Sequence, residues 1–124
     1  MPNAEHNVRI LSVSYDELLL KMRRMILENA GYAVVSAHGL EKSLEECNKG
    51  DFDVFVLGHS IPSRDKRQMV ETFRRNCPGC IISLTRGASE QRVEGADYRI
   101  DPDPEPLLKL IAEIVQKTES RSKA

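Results

Sequence analysis

The segment Val54-Phe55-Val56-Leu57 sets four apolar residues in a row directly after Asp53. Neighbouring side chains in a strand point to opposite faces, so a sheet with one wet face needs alternation of apolar and polar residues. An uninterrupted run suits a strand covered on both sides, as in a buried parallel sheet. The rest of the chain must therefore supply elements for both faces of that strand.

It does so by alternation. Val8 to Val13 and Ala33 to Ala37 are short runs rich in Val, Ile and Ala and read as strands. Between them, Leu18, Leu19, Met22, Met25 and Ile26 recur at steps of three and four, which predicts a helix from Asp16 to Ala30 with those residues as its apolar face. Asp16 is its N-cap and Gly31 its stop. Leu40 to Lys49 reads as a second helix, with Leu40, Leu44 and Cys47 on one face and Gly50 closing it. Beyond Ile61-Pro62, Met69, Val70 and Phe73 mark the inner face of a third helix, capped by Ser63 and ending before Pro78. Ile81 to Leu84 follows as a strand.

Gly87 to Gly95 has room for only about two helical turns, with Val93 as its one large apolar residue, so the fourth helix is expected to be shortened. Tyr98 to Ile100 completes the strands. Asp103-Pro104 then gives an N-cap and a first-turn proline to a last helix striped by Leu107, Leu108, Leu110, Ile111, Ile114 and Val115. The predicted architecture is α/β: a doubly wound, five-stranded parallel sheet of flavodoxin-like order. One domain spans residues 8 to 117, between a polar segment of residues 1 to 7 and a polar tail of residues 118 to 124 that is expected to fray.

Charge narrows the function. Lys and Arg total 18 against 19 Asp and Glu, a net charge of -1, so no general positive field draws nucleic acid or an anionic membrane. The polar start, MPNAEHN, does not read as a signal peptide, and no apolar run reaches membrane-spanning length. Three cysteines in a chain with 40% hydrophobic residues fit a reducing compartment, which implies a cytoplasmic location.

Several strings then carry a resemblance. ILSVSYDE, NAGYAVVSAHG, FDVFVLGHSIP, IISLTR and GADYRIDP occur in this order between Val8 and Val115, and together they are similar to the receiver domains of bacterial two-component response regulators. That resemblance implies an acidic pair after the first strand to hold magnesium, an aspartate after the third strand to accept a phosphoryl group, and a hydroxyl and a lysine to contact the phosphate. Magnesium takes hard oxygen ligands, and the acceptor must be an ionised oxygen beside it. Carried over by position, the acidic pair falls on Ser14 and Tyr15, the acceptor on Gly58, the hydroxyl on Thr85 and the lysine on Asp101. Only Thr85 keeps the family's chemistry, and Asp101 reverses a charge. Tyr98 falls on the family's aromatic switch position and is the candidate interface residue.

The resemblance so modified implies a pseudo-receiver. Such a chain is not an enzyme, has no catalytic residue and needs no metal or cofactor. It acts in signal transduction by contact with another signalling protein or with itself as a homodimer, through a surface altered by the shortened fourth helix. Two other readings compete. Asp16, Asp53 or His59 could accept a phosphoryl group from a displaced position, although Asp16 suits a cap and Asp53 precedes its strand. Cys77-Pro78-Gly79-Cys80 has the spacing of a thiol redox or metal-linked sensor, although Cys80 leads into a strand and Pro78-Gly79 suits a plain turn. Lys66, Arg67, Arg74 and Arg75 give the third helix a basic edge suited to an acidic partner.

Overall fold

The computed structural model of the chain describes residues 8–59, 61–85 and 95–123, those beyond 117 by their backbone alone. The described elements run β1 (Arg9–Ser14), α1 (Glu17–Asn29), β2 (Ala33–His38), α2 (Leu40–Lys49), β3 (Val54–Leu57), α3 (Ser63–Asn76), β4 (Cys80–Leu84), β5 (Tyr98–Ile100) and α4 (Pro104–Lys123). All strand pairs are parallel and lie in the order β2-β1-β3-β4-β5. The expected short element at residues 87 to 95 lies outside the described residues except for Gly95.

The two faces of β3 explain its composition. Phe55 and Leu57 face one core with Leu11, Val13 and Ile81, closed by Met69, Val70 and Phe73 of α3 and Cys47 of α2. The rings of Phe55 and Phe73 stack with centroids 4.7 Å apart. Val54 and Val56 face a second core with Ile10, Ile82 and Leu84, closed by Leu27 of α1 and by Leu107, Ile111 and Ile114 of α4. Helices from both sides therefore cover the strand, as its unbroken apolar run requires.

Three expectations need correction. The inward residues of α1 are Leu20, Arg23 and Leu27, while Leu18, Met22 and Met25 are 66%, 50% and 65% exposed and Leu19 and Ile26 are half-buried. Two stripes at helical spacing run along this helix, and apolarity alone favours the outer one because the Arg23 stem counts as polar in the sequence. Its methylenes pack inward all the same. The N-cap of α3 is Pro62, with Ser63 as the first helical residue, because the Ile61-Pro62 approach is already extended before the helix. The backbone of α4 also stays helical through Lys123 instead of ending near residue 117, continuing the hydrogen-bonding of a helix that tertiary packing has already nucleated. The Asp16 cap is as expected: its carboxylate accepts from the Leu19 N–H at 3.1 Å.

Phe73→Ala removes a fully buried ring that stacks on the central strand, and is expected to destabilise the fold by about 3–5 kcal/mol. Urea denaturation followed by circular dichroism measures it; a loss under about 1 kcal/mol would mean that the α3 side of the core is not packed as described.

Candidate functional site

Strand order reverses at β1, whose neighbours are β2 and β3. The carboxyl ends of strands beside such a reversal border a crevice, because their connections leave toward opposite faces. Ser14 ends β1, Gly58 follows β3, Thr85 follows β4 and Asp101 follows β5, so the fold brings these four positions to one edge.

The first half of that edge is tied internally. Ser14 is buried, and its hydroxyl accepts from the Asp16 N–H at 3.0 Å. Tyr15 packs against the first core, and its hydroxyl donates to Asp65 Oδ2 of α3 at 2.7 Å. Burial, then the hydrogen bond to Asp65 and its negative charge, hold the Tyr15 phenol above its ordinary value. Tyr15 is thus a neutral donor that latches the β1–α1 turn to α3. The Tyr15 carbonyl also lies 3.1 Å from Nε2 of His38.

Gly58 is buried between these groups, with its N–H donating to the Val13 carbonyl at 2.9 Å. A Cβ built on Gly58 would lie 3.0 Å from that carbonyl oxygen and 3.3 Å from both Cβ and Oγ of Ser14. Ser14 therefore borders the volume into which a side chain at position 58 would have to grow. The donor set does not fit magnesium: a neutral hydroxyl engaged by Asp16, a neutral phenol committed to Asp65 and a residue without a side chain supply no anionic oxygen. Among the described residues, no three His, Cys, Asp or Glu side chains converge on a common point.

The second half is looser. Thr85 is buried, and its N–H donates to the Ile100 carbonyl at 2.9 Å. Thr85, Tyr98 and Asp101 border one surface depression; Tyr98 is half-buried against the second core and Asp101 is exposed. An exposed carboxylate here gives an approaching phosphate repulsion where a lysine would attract it.

Other candidates are absorbed into the scaffold. Asp53 Oδ2 accepts from the Arg9 N–H at 2.9 Å, which joins β3 to β1 at the end away from the site. Cys77 is buried in the first core and Cys80 starts β4. Gly79 between them is required by crowding, since a Cβ there would collide with the backbone of Phe52 and Asp53. The basic edge of α3 is partly consumed: Lys66 is buried, and Arg74 donates to Asp97 Oδ2 and to the Gly79 and Gly95 carbonyls. Asp97 is a residue that the sequence reading left without a role. Its carboxylate also accepts from the Ile81 N–H at 2.7 Å, so it staples β4 to the approach of β5. Its place in the GAD string was the available signal.

No protein-family model matches the chain, and no curated protein matches it. Solved structures do. A CheY-like response regulator receiver domain protein from Methanospirillum hungatei is 26% identical, with a TM-score of 0.78 over 94% of this chain and 99% of that one. A two-component response regulator from Clostridium difficile is 17% identical, with a TM-score of 0.79 over 90% and 98%. The complex of histidine kinase ThkA with response regulator protein TrrA from Thermotoga maritima contains a chain 19% identical, with a TM-score of 0.72 over 86% and 97%. The fold is the flavodoxin-like fold of CheY-like receivers.

The Tyr15 latch has an alkaline signature. Its folded-state pKa lies above the value of about 10 for a free phenol, so its contribution is present below about pH 10 and is lost above it, where the unfolded chain ionises first. Tyr15→Phe is expected to cost about 1 kcal/mol at neutral pH and to flatten the fall in stability above about pH 10. Urea midpoints on either side of that pH test this. Some slope stays, since burial also raises the phenol of Tyr32.

Burial, with smaller contributions from Cys77 and Glu46, pushes the Cys47 thiol up to about 12. Iodoacetamide at neutral pH should therefore leave Cys47 unmodified until the protein is unfolded. Peptide mapping reads this directly, and rapid native labelling of Cys47 would contradict the packing between α2 and α3.

Proposed function

We propose that this chain is a pseudo-receiver: a domain of two-component signal transduction that takes no phosphoryl group and acts by contact with another signalling protein or with a second copy of itself. The observation that carries the reading is Gly58. The end of β3 has no nucleophile, and the Val13 carbonyl and Ser14 crowd the space where one would grow. Ser14, Tyr15 and Asp101 support it from two other strand ends, since together they remove the metal ligands and reverse the phosphate-binding charge. Such a domain performs no catalysis and is expected to work in the cytoplasm.

Contact with a protein has a physical basis on α1. Leu18, Met22 and Met25 form an exposed apolar stripe, and apolar surface gathered in this way favours association. The presence of a receiver-fold chain in the ThkA–TrrA complex supports a protein partner here as well. Among the described residues no helix is long and apolar enough to cross a membrane.

The displaced-acceptor reading is disfavoured for its two aspartates by the work they already do. Asp16 caps α1 and Asp53 binds the Arg9 backbone. The thiol-sensor reading is disfavoured by Cys77, whose side chain belongs to a core.

Intact mass after incubation with magnesium and acetyl phosphate is expected to show no phosphoryl adduct. Amide spectra should show no saturable shifts at Ser14, Gly58, Thr85 or Asp101 on addition of magnesium and beryllofluoride. Gly58→Asp alone should remain unphosphorylated, because Ser14 and Tyr15 still hold no cation. An adduct on the unaltered protein would sink the proposal.

A further inference from the structure

Arg23 occupies an inward position of α1 and is only 6% exposed. A guanidinium stays charged at neutral pH and carries five N–H donors, so hiding it without acceptors costs free energy. Its Nη1 is sealed from solvent with no acceptor among the described residues. Asp16 acts on it electrostatically, but that carboxylate is already engaged in capping the helix. Nothing in the two cores requires a cation at this place, and a leucine or methionine would fill the same layer.

The same side chain lines a cavity of about 200 Å³ between α1 and the start of α4. The walls are largely apolar, from Leu19, Met22 and Ile26 on one side and Leu107 on the other. A cavity of about 150 Å³ is large enough to take a molecule the size of benzene. This one has room for such a body with one small polar group. Pro104, the first residue of α4, also borders it.

We propose that this cavity binds a small monocarboxylate with an apolar body, its carboxylate against the Arg23 guanidinium and its body between Leu19, Ile26 and Leu107. A monocarboxylate can accept from the planar guanidinium fork, and it meets the Asp103 carboxylate at the cavity edge with half the charge of a phosphate dianion. A phosphate dianion fits poorly, because the apolar walls offer it no donors and the Asp103 carboxylate repels a dianion more strongly than a monoanion. His59 completes the lining, which puts the occupant beside the residue that follows Gly58. The site goes beyond the phosphate-independent reading and stands without it.

Amide spectra of the full chain, titrated with sodium benzoate at constant ionic strength, test the assignment. The expected result is saturable shifts confined to α1 around Arg23 and to the first turns of α4. A ligand of this size should have a dissociation constant on the order of 1 mM. Arg23→Met keeps the apolar volume and should fold, yet weaken binding by about tenfold or more. Met22→Trp fills the cavity from a half-exposed position with the charge retained, and should weaken binding as well. Shifts that fail to saturate, or that persist unchanged in Arg23→Met, would overturn the proposal. So would inorganic phosphate binding at the same amides as tightly as benzoate.

Discussion

Everything in this fold is arranged around a strand that water cannot reach from either side. Val54 to Leu57 puts apolar side chains on both faces of β3, so one helix layer cannot suffice, and the chain must cross the sheet repeatedly to cover both. Parallel pairing makes that possible, because the crossovers from β1 to β4 each carry a helix back over a face. The same requirement fixes where chemistry can sit. With β1 at the reversal of strand order, the ends of β1, β3, β4 and β5 converge at one edge.

At that edge the first half of the site is tied by contacts internal to the protein. Tyr15 reaches across to Asp65, Ser14 supports the start of α1, and Gly58 lets β3 approach the end of β1 closely. These substitutions are mutually consistent. A phenol needs no cation, and without a cation an acidic nucleophile would be an uncompensated buried charge.

The polar groups away from the edge divide into two kinds. Asp53, Asp97 and Arg74 spend their charge on backbone groups of neighbouring strands and turns, so they are parts of the scaffold. Arg23 does not. Its Nη1 has no acceptor among the described residues, and the side chain lines the cavity beside the start of α4.

The sequence by itself determined the order of the described elements and the parallel sheet, because buried strands and amphipathic helices leave periodicities that do not depend on the neighbours. It also determined that Ser14, Tyr15 and Gly58 carry no carboxylate and Asp101 no ammonium, since residue identity alone decides that. What only the tertiary structure decided is orientation and partnership. Which of the two stripes on α1 faces inward depends on how the helix is rotated over β1 and β2, and that rotation buried Arg23 and left Met22 and Met25 outside. The Tyr15–Asp65 bond joins residues 50 apart and the Asp97–Ile81 bond residues 16 apart. No local pattern encodes such contacts, because they arise only when separate crossovers stack at the same end of the sheet.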